Sequence, residues 1–177
     1  MSLVQRGRLD EAIAGLRSAL ELAPDHARAR QTLVALLVER RALAEAQAVL
    51  EEGLRLDPAQ TGFASLLARL HLDRGDSGRA LSVLQAHAAY ASANAEYRAF
   101  TAALLQRAGR NAEAADEFRS ALVINPAVGV WWMGLGMSEQ ALGHRDAALA
   151  AYRQARSMAG LSPDLVAFVD RRLRLLQ

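Results

Sequence analysis

The sequence predicts an all-α fold, a solenoid of helix-turn-helix repeats closed at its C-terminal end by a capping helix. Three observations predict it. Alanine recurs every 34 residues, at Ala12, Ala46, Ala80, Ala114 and Ala148. A bulky residue follows each alanine four positions on, at Leu16, Leu50, Leu84, Phe118 and Tyr152. Apolar residues make up 52% of the chain and aromatics only 5%, so Ala and Leu fill the interior. That composition suits closely packed helices better than strands, which favour β-branched and aromatic side chains.

Each series has a mechanical reading. The small alanine lets two helices approach, and the large residue one turn later fills the neighbouring groove. Gly7, Arg41, Gly75, Gly109 and Gly143 form a third series, placed where one helix ends and the chain reverses. Glycine accepts the left-handed conformation there at little cost. Pro24, Pro58 and Pro126 form a fourth, with Ser92 and Gly160 in the remaining places. Proline stops the second helix because it disfavours helical backbone in the residue before it.

The elements follow in order. The whole chain reads as one domain. Residues 1–26 hold a partial repeat that keeps only its second helix, 9–22, and a stub of the first. Complete repeats occupy 27–60, 61–94, 95–128 and 129–162. Their first helices are expected at 27–40, 61–74, 95–108 and 129–142, and their second helices at 44–56, 78–91, 112–124 and 146–158. Ser162-Pro163-Asp164 then starts the capping helix, 163–177, with an N-cap, a proline in the first turn and an acid at the positive helix end. Leu165, Phe168, Val169, Leu173 and Leu176 share its apolar face, while Arg171, Arg172 and Arg174 are expected to face mostly outward. A helix of this kind solvates the last repeat. The front of the stack has no such lid. The sequence therefore predicts either a fragment or a front edge that meets another subunit, as in a homo-oligomer. Met1-Ser2-Leu3 is compatible with a vector remnant and a natural chain extending upstream.

The stretch Gly7–Pro24, GRLDEAIAGLRSALELAP, and the Trp132, Leu135 and Gly136 of the last repeat resemble the tetratricopeptide repeat. The resemblance covers nearly the whole chain. It implies a right-handed superhelix that binds protein or peptide partners, with the first helices lining the concave side. It also implies a groove set by positions 2, 5, 9, 12 and 13 of each repeat. In this chain those are Arg28, Gln31, Ala35, Val38 and Glu39, then Gly62, Ser65, Arg69, Leu72 and Asp73. The later repeats give Glu96, Ala99, Ala103, Gln106 and Arg107, then Val130, Met133, Met137, Gln140 and Ala141. The Lys and Asn set by which some members grip a C-terminal carboxylate is missing. An extended or helical peptide is expected, held by polar contacts and anchored on Met133 and Met137. The alternative packs both methionines under the terminal helix, and the sequence leaves the two open. Trp132 is assigned to the core. Trp131 either packs on the preceding hairpin or stays partly exposed.

Charge and composition narrow the function class. The chain carries 21 basic residues, every one Arg, against 19 acidic residues, for a net charge of +2. Arg28, Arg69 and Arg107 interleave with Glu39, Asp73 and Glu96, which argues against a nucleic-acid partner. No apolar stretch is long enough for membrane insertion. Absence of Cys excludes disulfides and thiolate metal sites. His26, His71, His87 and His144 lack metal-ligand spacing, although His71 and His87 fall at packed positions of one repeat. Gly134-Leu135-Gly136 lacks the Lys of a phosphate loop and reads as a close helix contact. No nucleophile elbow occurs. The sequence calls for no enzyme activity and no cofactor.

The run GVWWMGLGMSEQALGHRDAALAAYRQA followed by GLSPDLVAFVDRRL resembles more closely the tetratricopeptide proteins of mannose-sensitive haemagglutinin pilus biogenesis. That resemblance implies a scaffold on the periplasmic face of the inner membrane, anchored upstream of this chain. The alternatives are a cytoplasmic adaptor and the regulatory module of a larger enzyme.

Overall fold

The computed structural model describes residues 3–177, with side chains from Gly7 onward; Met1 and Ser2 of the suggested vector remnant lie outside the described residues. Among the described residues there are ten α-helices and no strand. The chain divides into two compact units, Met1–Tyr90 and Ala91–Gln177.

The first unit holds α1 (Leu3–Leu22), α2 (Ala27–Glu39), α3 (Leu43–Leu56), α4 (Thr61–Asp73) and α5 (Ser77–Ala86). Each of these packs on the next. After α5 the chain tightens into a 3-10 turn over Ala88–Ala91, where the sequence predicts continued α-helix. Such turns are common where an α-helix runs out.

The second unit holds α6 (Ala95–Arg107), α7 (Asn111–Ile124), α8 (Gly129–Ala141), α9 (Arg145–Ser157) and α10 (Pro163–Leu176). Successive helices pack together here too, and α6 also touches α8. Ser162 caps α10 by accepting from the Leu165 N–H at 3.4 Å, as the Ser-Pro-Asp sequence predicts.

The repeating series explain the packing. Ala46, Ala80, Ala114 and Ala148 are all 0% exposed, and Leu50, Leu84, Phe118 and Tyr152 are buried beside them. Ala12 departs from the pattern and is exposed.

The expected stub is absent. α1 runs unbroken from Leu3 to Leu22, so Gly7 lies within a helix and not at a reversal. The other members of the series do reverse the chain. Gly75, Gly109 and Gly143 take φ of 79°, 74° and 79°, and Arg41 adopts the same left-handed conformation at φ 60°.

The two glycines of the Gly-Leu-Gly run are close contacts in a helix, as expected. A Cβ on Gly134 would run into the Phe118 ring, and one on Gly136 would lie 2.8 Å from the Tyr152 ring. The bulky series thus packs its rings directly against bare backbone on α8.

Candidate functional site

Side chains that reach backwards hold the start of each first helix. Arg30 is buried and donates Nη2–H to the Pro24 carbonyl at 2.7 Å and Nη1–H to Val49 at 3.0 Å. Burial lowers its pKa first, and the nearby Arg55 charge adds to that. Arg98 donates Nε–H to Ser92 at 3.0 Å, and Trp132 donates Nε1–H to Pro126 at 2.8 Å. Repeat 61–94 has Ala64 at that place, and His87 serves the Pro58 carbonyl through Nδ1 at 2.9 Å. His87 is thereby given a structural task, while His71 is buried in α4.

The first-helix faces differ between the units. In the first unit, Arg28, Gln31 and Glu39 on α2 and Asp73 on α4 are exposed, and their side chains make no hydrogen bond or ion pair with another described residue. Arg69 is exposed and already engaged. Val38 adds an exposed apolar side chain at 40%.

In the second unit α6 turns Ala99 into the core, against the cluster that includes Ala102, Phe118 and Leu135. Gln106 is half-buried and clamps α6 to α8, donating Nε2–H to the Gly134 carbonyl at 3.0 Å and to Ser138 Oγ at 2.8 Å. Arg107 is exposed and has no described partner.

The α8 face meets α10. Met133 and Met137 are half-buried and pack with Trp132, Phe168, Leu173 and Leu176 on a core of Ala148, Tyr152, Ala155 and Val169. Both methionines therefore contribute to the seat of the terminal helix. Trp131 packs on the cluster formed with α6 and α7.

Beside that seat is a cleft of about 280 Å³, lined by Met137, Gln140, Ala141, Tyr152 and Arg172. The buried Tyr152 donates its hydroxyl to Gln140 Oε1 at 2.9 Å. Burial pushes the phenol pKa up, and the Arg172 charge pulls the other way. Arg172 was expected to point outward with Arg171 and Arg174. It is instead half-buried, with its guanidinium 5.0 Å from the centre of the Phe168 ring on the preceding turn. The stacked ring fixes a cation that helical spacing alone would place in solvent.

One buried carboxylate lies behind this face. Glu139 is 2% exposed and is paired with Arg119 from α7 and with His144, whose Nδ1 is 2.8 Å away. It ties three segments of the unit together. Among the described residues no group of three His, Cys, Asp or Glu is placed to hold a metal ion, and no helix is long and apolar enough to cross a membrane.

The tetratricopeptide-repeat profile matches residues 3–60 and 37–104, which together span more than half of the chain. The chain belongs to the tetratricopeptide repeat family. Solved structures agree on the fold. The crystal structure of MamA superposes with a TM-score of 0.69 at 18% identity, covering 88% of this chain and 93% of that one. A structure described as "YrrB: a TPR protein with an unusual peptide-binding site" gives 0.74 at 21% identity, covering 96% and 87%. No curated protein sequence matches. The fold class is thus an all-α tetratricopeptide solenoid, and the reverse-reaching donors named above belong to its repeat register. On the first helices, Arg28, Gln31, Glu39, Asp73, Glu96 and Arg107 are exposed charged or amide side chains without a described partner.

Proposed function

We propose that this tetratricopeptide protein is a non-catalytic scaffold that captures a protein or peptide partner on its first-helix faces. One observation carries the reading. Polar side chains on α2, α4 and α6 stand exposed with their bonding capacity unused, while those on the second helices are largely taken up by neighbouring ion pairs such as Arg110–Glu113 and Arg156–Asp170. Unused donors and acceptors on the first helices of each unit suit an incoming backbone and its side chains. The peptide-binding site named for YrrB is support by analogy of fold.

The assembly context we favour is a type IV pilus-like system, with the chain facing the periplasm. Its support is the resemblance of the C-terminal third, GVWWMGLGMSEQALGHRDAALAAYRQA, to pilus-biogenesis proteins.

Photocrosslinking in the source cell tests both levels. A photoreactive residue at Gln31 or Arg107 is expected to trap a partner, and one at Arg153 on the exposed side of α9 is not. Equal adducts from all three positions, or none from the first two, would refute the scaffold reading. Adducts that contain no pilus-assembly component would remove the pilus context and leave the scaffold standing.

A further inference from the structure

The cleft beside α10 has a chemistry that none of the expected groove residues describes alone. Its apolar lining is Met137 and Ala141 over the buried Tyr152, and its polar groups are Gln140 and Arg172. The volume of about 280 Å³ falls just under the range of drug-sized pockets.

Charge around the cleft is one-sided. Arg172 has no acidic partner among the described residues. The acids on the surrounding helices leave it uncompensated. Glu139 on α8 is buried against Arg119 and His144, and Asp170 on α10 is bonded by Arg156 at 2.9 Å. Asp146 and Asp164 sit in the first turns of α9 and α10, at helix starts that favour negative charge. Gln140 accepts from Tyr152 through Oε1, which leaves its Nε2–H groups uncommitted. The guanidinium N–H groups and the free Gln140 Nε2–H groups are donors, and their complement is a carboxylate.

A second cation lies on the same family of helix faces. Arg107 occupies in α6 the place that Ala141 occupies in α8, 34 residues later, and it is exposed without a described partner.

We propose that the cleft of α8, α9 and α10 receives an acidic segment of a partner protein, with a carboxylate on Arg172 and the Gln140 amide and a neighbouring aliphatic side chain on Met137 and Ala141. This rests on the scaffold reading and specifies its ligand. Arg172 supplies charge and Phe168 holds it in place. The apolar floor selects a residue such as Leu beside the acid.

The test uses the whole chain and three fluorescein-labelled peptides: one alternating Leu and Asp, one with Asn for every Asp, and one with Lys. Anisotropy titrations are expected to rank the Asp peptide tightest. Arg172→Gln is expected to weaken it roughly tenfold, the scale of one charge-assisted hydrogen bond. Arg153→Gln removes the same charge from the exposed side of α9 and is expected to leave binding unchanged. Ala141→Trp, which fills the cleft and keeps Arg172, is expected to weaken the Asp and Asn peptides alike. Equal affinity for Asp and Asn peptides overturns the proposal, as does an equal loss from Arg153→Gln. Succinate competing as strongly as the peptide also overturns it, because a small anion then suffices. Failure of every peptide to bind overturns the acidic-segment proposal too, and the crosslinks at Gln31 and Arg107 then decide the scaffold reading separately.

Discussion

Trp132 donates its indole N–H to the carbonyl of Pro126, at 2.8 Å. Arg30 does the same to Pro24 six residues back, and Arg98 to Ser92, so unlike side chains perform one task in one register. The bond ties the end of one hairpin to the first turn of the next, where helix starts and loop carbonyls otherwise rely on water. Trp132→Phe keeps most of the ring packing and deletes the donor. We expect a loss of about 0.5–1.5 kcal/mol by urea denaturation, toward the lower end because the carbonyl is near solvent. An unchanged midpoint would mean water replaces the indole without cost.

Arg41 is the one described non-glycine residue with positive φ, at 60°. A left-handed L-residue costs roughly 1–2 kcal/mol, and glycine there gives back about 0.5–1 through greater freedom when unfolded. Arg41→Gly should therefore raise stability by roughly 0.5–1 kcal/mol. Chemical melts of the two chains decide it, and a lower midpoint for the variant would show that the Arg41 side chain contributes more than its backbone costs.

Met133 and Met137 support α10 from below. Replacing both with Asp puts two carboxylates beneath Phe168 and Leu173, of which Arg172 beside Met137 can compensate at most one. The expected loss is at least about 3 kcal/mol, with a lower and broader circular-dichroism melt. A melt that matches the parent, combined with lost partner capture, would instead make both residues surface anchors.

Burial pushes the Tyr97 phenol from 10.0 up to about 12. Its folded pKa is raised, so its contribution is complete below pH 10 and is lost as pH rises toward 12. In that interval the unfolded phenol ionises first, the unfolded chain holds fewer protons, and stability falls with pH. Denaturation at several alkaline pH values should show a steeper decline for the parent than for Tyr97→Phe. Parallel declines would assign the alkaline loss to other groups.

Hairpin order, turn positions and the alanine contacts were legible because each depends on neighbours close in sequence or exactly one repeat away. Ala12 and Gly7 carry the same letters as their series, yet Ala12 is exposed and Gly7 is helical. Identity of residue fixes a role only together with a packing partner, and among the described residues neither position meets one of the kind its series has. The backbone latches escaped notice for the opposite reason. Arg30, Arg98 and Trp132 share a register and a bond but no chemical class, and His87 reaches its carbonyl from a different helix.

The candidate site was legible in outline. Exposure of Arg28, Gln31, Glu39 and Arg107 follows from helical spacing. Spacing gave no warning that Ala99 turns inward or that Gln106 is occupied by Gly134 and Ser138. Arg172 is the largest omission. Its long side chain folds back over Phe168, and reach of that kind depends on a ring one turn away and not on the direction of the Cα–Cβ bond.

The burial of Ala46, Ala80, Ala114 and Ala148 against a bulky residue four places on has a hereditary side. Deleting one codon between Ala114 and Phe118 would turn the two about 100° out of register, so that one of them leaves its buried face. Copying a block of 34 codons restores the same juxtaposition at the new seam. Genes for such chains can thus lengthen or shorten in whole periods while point insertions within helices are purged, and gain of a new docking face needs only a duplicated period whose outward residues then diverge.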